Sequence, residues 1–300
     1  METTTFALGS GRVVGVTEFG NPEAEQVVVL AHPAPGSSLF DPDPVATSGR
    51  IVRVIAVDRP GYGLSEPLPE GEPFTIAQAA DDVAEVLRSR GVERFGAAGW
   101  SAGGRIALAL AAMHPGLVDR VAIAGTPAPD GEVPWIPDDL RGGLEALATM
   151  APADALMALT GQFDALVGAK PTGRDLVGFL IPPGADEAML PAAEDRLVVM
   201  LDNAVRQSNA GMAADILSYT VLDQGFDLAE VQAKALLIYG AKDAIGGRHA
   251  TWYQRALPDA RVEMDPNAGH LVVVPHWDRM LSHLAPGSKP RGSKPHRCVY

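Results

Sequence analysis

The chain has 300 residues, 47% of them apolar, which is enough for a well-buried core in one large or two small domains. Its single cysteine, Cys298, excludes an internal disulfide framework and fits a reducing compartment, and no spacing of ligand residues indicates a metal site. The formal charge of −13 becomes −17 when the last fifteen residues, with four basic side chains and no acid, are set aside. Such a body repels nucleic acid and anionic membranes, so we expect neither as a partner.

The start of the chain carries no targeting pattern. Residues 1–5 lack the positive charge and the apolar run of a secretory signal, and no stretch reaches the roughly 18 uncharged apolar residues of a membrane span. We therefore expect a soluble, cytoplasmic protein that binds a small-molecule substrate. The sequence leaves its oligomeric state open.

Apolar strand-like runs alternate with helical patterns over residues 1–125. This alternation predicts an α/β fold with a mostly parallel sheet, flanked by helices on both faces. The polar runs at 5–8 and 12–18 predict an edge hairpin. The other predicted elements are strands at 26–31, 53–57, 93–98 and 118–125 and helices at 75–90 and 103–114.

Between about residues 126 and 228 the alternation stops. Helical segments broken by Pro and Gly clusters replace it, among them 144–149, 154–166 and 187–209. A loop of this length is implausible inside a compact domain, so we interpret the segment as a helical cap inserted between two strands. Its Leu, Met, Val and Phe side chains face either the core of the cap or a pocket, and the sequence does not distinguish the two.

Strands at 235–239 and 261–264 and an amphipathic helix resume the alternation. We therefore divide the chain into a first core part (1–125), a helical cap (126–228), a second core part (229–285) and a tail (286–300). The tail repeats Gly-Ser-Lys-Pro and has no apolar periodicity. We interpret it as a flexible basic extension, with a basic docking tail as the alternative.

Gly99-Trp100-Ser101-Ala102-Gly103 lies between a predicted strand and a predicted helix. A serine at such a sharp turn is the pattern of a nucleophile elbow. The flanking glycines fit a backbone so cramped that side chains would clash there. The pentapeptide alone is common, but its strand-to-helix context predicts that Ser101 is a nucleophile.

Other motifs also follow predicted strands. They are His32-Pro33-Ala34-Pro35-Gly36-Ser37, Asp58-Arg59-Pro60-Gly61-Tyr62-Gly63-Leu64-Ser65, Gly240-Ala241-Lys242-Asp243 and Asn267-Ala268-Gly269-His270. Reactive residues thus occur in the order Ser, Asp, His. From about residue 6 to about residue 285 the chain resembles the α/β-hydrolase superfamily, and within it the small capped serine hydrolases. The resemblance implies an eight-stranded, mostly parallel sheet with an inserted cap.

A serine hydroxyl needs a base within reach, and that base needs an orienting partner. We predict His270 as the base because it lies in the loop after the last strand, from which its ring can reach back to Ser101. Asp243 matches the acid position of the family; its alternative role is to cap the following helix. Some relatives carry the acid after the preceding strand, but residues 124–126 (Ala-Gly-Thr) offer no carboxylate there.

The oxyanion of an acyl-transfer reaction needs backbone donors already in place. We predict the amides of Ala102, directly after the nucleophile, and Ala34. His32-Pro33 departs from the usual His-Gly of the family, and Pro33 has no N–H to donate. By the resemblance His32 braces this loop, and Asp58 supports its own turn. Trp100 either lines the pocket or packs beneath the turn.

We therefore predict a serine hydrolase that cleaves a carboxylic ester, or a lactone, of a small and mostly neutral or apolar molecule, with no cofactor and no metal. The same residues leave open a cofactor-free perhydrolase or haloperoxidase and a carbon–carbon bond hydrolase. A ligand-sensing protein that keeps the scaffold is the alternative outside enzymes. An aspartate-nucleophile enzyme is excluded because residue 101 is serine, and the motifs expected of a prolyl aminopeptidase are absent.

Overall fold

The computed structural model describes residues 1–69, 72–222 and 224–289. Within these ranges, eight strands form one sheet in the order β1-β2-β4-β3-β5-β6-β7-β8. The β1–β2 and β2–β4 pairs are antiparallel, and the other pairs are parallel. The strands are β1 (Glu2–Ala7), β2 (Val13–Gly20), β3 (Val27–Ala31), β4 (Arg53–Val57), β5 (Phe95–Trp100), β6 (Val118–Ala124), β7 (Lys234–Gly240) and β8 (Ala260–Asp265).

Helices connect the parallel strands and fill the long segment between β6 and β7. They are α1 (Pro44–Ser48), α2 (Ile76–Ser89), α3 (Gly103–Met113), α4 (Asp138–Ala148), α5 (Pro152–Val167), α6 (Gly173–Leu180), α7 (Leu190–Ala204), α8 (Ala210–Thr220), α9 (Gly247–Ala256) and α10 (Val273–Leu284). Two 3₁₀ turns, Leu228–Glu230 and His270–Val272, precede β7 and α10. None of the helices described is both long and apolar enough to cross a bilayer.

The central strands are buried on both faces, as a parallel sheet requires. All five residues of β3 are buried and alternate between two hydrophobic clusters, with Val29 on one face and Val28 and Leu30 on the other. Helices α2, α3 and α9 contribute to the first cluster, and α10 contributes to the second. Both faces of the sheet therefore pack against a hydrophobic core, and the loops at the carboxyl edge extend from well-packed strands.

Helices α4 to α8 form the helical insertion, which divides into two parts by packing. Leu176 of α6 and Leu197 and Met200 of α7 belong to the same cluster as the sheet residues Val28 and Trp100. Residues of α4, α5 and α8 form a separate cluster that includes Leu147, Phe163 and Leu217. One part of the insertion thus shares the core of the sheet, while the other has a small core of its own and reaches the sheet core through Tyr219 of α8.

The predicted core elements agree closely with the structure: α2 and α3 begin and end within one residue of their predicted limits. The insertion was predicted less well, since residues 187–209 are not one helical piece. Helix α7 ends at Ala204, and α8 begins at Ala210. Asn209 lies in the break, and its side-chain amide donates to Asp164 and to the Gly168 carbonyl, contacts that the sequence pattern does not reveal.

The described beginning of the tail is docked rather than free. Ser288 is buried; its carbonyl accepts the Ile51 N–H at 2.7 Å, and its hydroxyl accepts a hydrogen bond from Arg50 at 3.1 Å. Residues 290–300, with Cys298 and the second Gly-Ser-Lys-Pro copy, lie outside the described residues. The interpretation of that part as a flexible extension stays a prediction.

A buried carboxyl group lies where α1 meets α10. Asp41 is 5% exposed and accepts a hydrogen bond from the Thr47 hydroxyl at 2.8 Å, while Thr47 accepts the indole N–H of Trp277 at 2.9 Å. Burial raises the pKa of Asp41 to about 6, although the Thr47 hydroxyl opposes the shift.

Because the pKa of Asp41 is higher in the folded than in the unfolded chain, its ionisation lowers the free energy of unfolding as the pH rises from about 4 to about 6. Asp41→Asn removes this penalty and keeps an acceptor for Thr47. We expect the free energy of unfolding of the variant to exceed that of the wild type by up to about 3 kcal/mol at pH 7. This difference should vanish near pH 4. Urea unfolding across this range measures it, and a difference independent of pH would contradict it.

Candidate active site

Ser101 lies at the tight turn between β5 and α3. Its φ is +54°, and in the described parts of the chain it is the one residue other than glycine with a positive φ. Such a conformation is strained for a residue with a side chain and is typical of a nucleophile elbow. The Ser101 N–H donates to the Ala124 carbonyl at the end of β6, which anchors the turn to the neighbouring strand.

Three glycines allow the turn to pack against its neighbours. A Cβ on Gly99 would lie 2.3 Å from the Gly103 carbonyl oxygen, and a Cβ on Gly103 would lie 2.1 Å from the Ala31 oxygen. The third, Gly104, was not singled out from the sequence; its Cβ would lie 1.8 Å from the Thr126 hydroxyl oxygen. These distances are far below any real contact, so the elbow requires glycine at all three positions.

The structure brings Ser101, His270 and Asp243 together. His270 Nε2 lies 2.9 Å from Ser101 Oγ, and His270 Nδ1 lies 2.8 Å from Asp243 Oδ2. Asp243 follows β7 and His270 follows β8, so residues separated by 169 positions along the chain meet at one edge of the sheet. Ser101 is 8% exposed and His270 is 9% exposed, which shields the hydrogen bonds from bulk water.

The charge on Asp243 fixes how the imidazole is protonated. Burial raises the pKa of Asp243, but the hydrogen bond from His270, the positive charge of that ring when it is protonated and the Ile245 N–H outweigh this and hold the pKa below its usual value. An ionised carboxylate accepts a hydrogen bond from Nδ1–H, so Nε2 is left to accept a hydrogen bond from the Ser101 hydroxyl. This tautomer is the one that a general base beside a serine requires.

Of the two residues predicted as oxyanion donors, Ala102 lies at the elbow and Ala34 lies in the loop after β3. Within the described ranges, neither the Ala34 nor the Ala102 amide donates a hydrogen bond to a protein group. Ala102 directly precedes the first turn of α3, where the helix dipole favours negative charge. Its carbonyl accepts the Tyr219 hydroxyl of α8 at 3.0 Å, which ties the elbow to the helical insertion.

His32 lies in the loop that carries Ala34 and is neutral. Its Nδ1 lies 2.9 Å from the Pro33 carbonyl, and its Nε2 accepts the Arg59 backbone N–H at 3.2 Å. Burial, and then the Arg59 charge, lower the pKa of His32 well below its usual value. Both ring nitrogens are engaged in bracing the loop, as the resemblance implied, so His32 is not available as a base.

Arg59 holds the same loop from the other side, a role that the sequence did not reveal. Its guanidinium donates to the His32 carbonyl at 2.6 Å and to the Pro33 carbonyl at 2.7 Å. It also pairs with Asp215 of α8, 2.6 Å away, and Asp215 accepts the Tyr62 hydroxyl at 2.7 Å. Burial opposes the Arg59 cation, but the charge of Asp215 raises its pKa, so Arg59 remains charged.

Trp100 packs beneath the turn, the second of the two positions considered from the sequence. Its side chain is 1% exposed, its indole N–H donates to the His270 carbonyl at 2.9 Å, and its ring lies against Phe40. Asp58 supports its turn by accepting the Ser38 and Leu64 N–H groups. Both residues therefore hold loops in place.

A cavity of about 790 Å³ lies between α4, α5 and α8 on one side and residues of the segments 60–69 and 72–74 on the other. Most of its lining is apolar, including Leu147, Leu156 and Leu217. Ser101, Asp243 and His270 are not among its lining residues. We therefore assign no reaction step to this cavity.

The elbow contacts predict a specific sensitivity to substitution. In Gly103→Ala the new methyl group meets backbone oxygens of Ala31 and His32 that cannot move aside without shifting β3. We expect the free energy of unfolding to fall by about 3 kcal/mol, the upper end for overpacking. The matched control is Gly116→Ala, where no atom lies within 4 Å of the added carbon. Urea unfolding of both variants measures this, and equal stabilities would contradict it.

Known proteins are similar to this chain over most of its length. A pimeloyl-acyl-carrier-protein methyl ester esterase of Chromobacterium violaceum is 29% identical over 238 residues, which span 76% of this chain and 81% of that protein. An esterase structure from Exiguobacterium antarcticum aligns with a TM-score of 0.69 at 22% identity, covering 93% of this chain and 96% of the other. An enol-lactonase structure from Burkholderia xenovorans LB400 aligns with a TM-score of 0.63 at 22% identity, covering 92% and 96%.

At these identities the two solved structures demonstrate the fold alone. The family comparison goes further, because residues 26–276 match the profile of the family described as alpha/beta hydrolase fold. That range contains the elbow, Asp243 and His270. The chain belongs to the alpha/beta hydrolase fold family.

Proposed function

We propose that this protein is a serine hydrolase that cleaves a carboxylic ester or lactone of a small, mostly neutral or apolar molecule through an acyl-enzyme on Ser101. The observation that carries the proposal is the unbroken hydrogen-bond chain from Ser101 Oγ through His270 to Asp243. A hydroxyl, an imidazole and a buried carboxylate in this order form the constellation that activates serine for acyl transfer.

The reaction follows from this geometry. Ser101 Oγ attacks the ester carbonyl carbon while His270 Nε2 takes the hydroxyl proton, and Asp243 stabilises the resulting imidazolium. The carbonyl oxygen becomes an oxyanion, which the Ala34 and Ala102 amides stabilise. When the carbon–oxygen bond of the ester breaks, His270 returns the proton to the leaving alcohol.

Water completes the cycle. His270 removes a proton from a water molecule that attacks the acyl carbon, a second oxyanion forms in the same place, and the bond to Ser101 breaks. His270 then reprotonates Ser101, and the free acid leaves. In a lactone, the alcohol and the acid belong to one product molecule, so the same steps open the ring.

The relatives support ester chemistry, since both the Chromobacterium protein and the Exiguobacterium structure are named esterases and a third relative is named an enol-lactonase. The substrate class rests on charge and composition. The strongly acidic body disfavours anionic substrates, and the insertion is rich in Leu, Met, Ala and Phe. We further propose that the insertion is a cap over the site, because Tyr219 and Asp215 of α8 contact the elbow and the Arg59 guanidinium.

Short p-nitrophenyl esters test the proposal directly. We expect turnover by the wild type, labelling of Ser101 by a fluorophosphonate, and loss of both in Ser101→Ala, with kcat lower by about 10⁶-fold. Asp243→Asn keeps the shape of the side chain but favours the wrong imidazole tautomer, so kcat should fall by about 10⁴-fold. Ser48→Ala, at an exposed serine on α1, is the control and should retain activity.

The outcome that refutes the proposal is a wild type that neither turns over these esters and simple lactones nor reacts with the fluorophosphonate. Tight binding of an ester with negligible product release would instead favour the ligand-sensing alternative.

A further inference from the structure

A buried carboxylate of the insertion binds the backbone directly before and directly after His270. Asp186, between α6 and α7, is 2% exposed. Its Oδ1 accepts the Gly269 N–H at 2.7 Å, and its Oδ2 accepts the Leu271 N–H at 3.0 Å. Each oxygen thus binds the backbone of one residue flanking the imidazole that lies between Ser101 and Asp243.

We propose that Asp186 is a positioning residue for His270, one that fixes the imidazole relative to Ser101 and Asp243 through the backbone of the loop. This rests on the proposed function, because it assigns Asp186 a role in the same reaction. The loop must hold the His270 imidazole precisely, because both ring nitrogens form hydrogen bonds, one with Ser101 and one with Asp243. A misplacement of about 1 Å can lower the rate by about 10²-fold.

The chemistry of the contact favours a carboxylate specifically. The two N–H groups lie at the entry to the 3₁₀ turn His270–Val272, where backbone donors have no partner within the turn itself. A carboxylate offers two acceptor oxygens, and hydrogen bonds to an ionised acceptor are stronger than neutral ones. An asparagine offers one oxygen, and its NH₂ group would face the second N–H donor.

The residue before His270 makes room for the contact. A Cβ at Gly269 would lie 2.6 Å from Asp186 Oδ2 and 2.6 Å from the Ala185 Cβ. The absence of a side chain at this position therefore lets the carboxylate reach both N–H groups. On the core side, the Trp100 indole N–H binds the His270 carbonyl, so the loop is held from the sheet and from the insertion at once.

The test compares Asp186→Asn and Asp186→Ala with the wild-type full chain. We expect kcat for a p-nitrophenyl ester to fall by about 10²-fold in Asp186→Ala and by an intermediate factor in Asp186→Asn, with KM changed by less than about threefold. In proton NMR, the low-field resonance of the Nδ1–H between His270 and Asp243 should broaden or disappear in the same order.

Asp202→Asn is the matched control. Asp202 is also a carboxylate of the insertion that accepts a backbone N–H, that of Gly173, but this bond lies within the insertion. Its loss should lower the melting temperature without changing kcat or the low-field resonance. If Asp186→Asn and Asp202→Asn behave alike in kcat and in the resonance, Asp186 has only a structural role and the proposal is overturned.

The nearly isosteric Asp186→Asn keeps the test decisive if Asp186→Ala does not fold. A wild type without turnover or labelling would defeat the proposed function instead. The positioning of His270 by Asp186 is then tested by the Nδ1–H resonance alone. This resonance should still weaken in Asp186→Asn and should persist in Asp202→Asn.

Discussion

The elbow depends on backbone atoms that approach one another more closely than any side chain would permit. Gly103 lies against the end of β3, Gly99 against the first residues of α3, and Gly104 against Thr126. This crowding forces Ser101 into its positive φ and brings it to the carboxyl edge of the sheet. Ala34, Asp243 and His270 follow the parallel strands β3, β7 and β8 at that same edge, so the candidate groups all lie at the edge where this turn places Ser101.

The sequence predicted the parts of the protein whose cause is local. Strand and helix periods placed the sheet and its covering helices, and the residue types at strand ends identified Ser101, Asp243 and His270 as groups that the fold brings together. The loops that carry Ala34, Asp58, Asp243 and His270 could be predicted because each follows a strand-like run in the sequence. Trp100 could not be assigned, because its orientation depends on the Phe40 and His270 neighbours that folding supplies.

The contacts that hold the loops could not be predicted, because their partners are distant in sequence. Asp215 lies 156 positions from Arg59, and Asp186 lies 83 positions from Gly269. Aspartates in a helical insertion look like ordinary surface residues until their burial is known. The break before α8 did leave a signal, since Ser208-Asn209 precedes an apolar run, but Asn209 binds Asp164 instead of capping the helix.

The two-part packing of the insertion has a consequence for heat inactivation. Helices α4, α5 and part of α8 rest on a small cluster of their own, although Tyr219 of α8 belongs to a core of the sheet. Such satellite clusters open at lower cost than the main body. Yet α8 supplies the Tyr219 hydroxyl, which binds the elbow, and the Asp215 charge, which holds Arg59 against the loop that carries Ala34. Warming should therefore release these restraints first, so that enzymatic function disappears while the sheet is still intact.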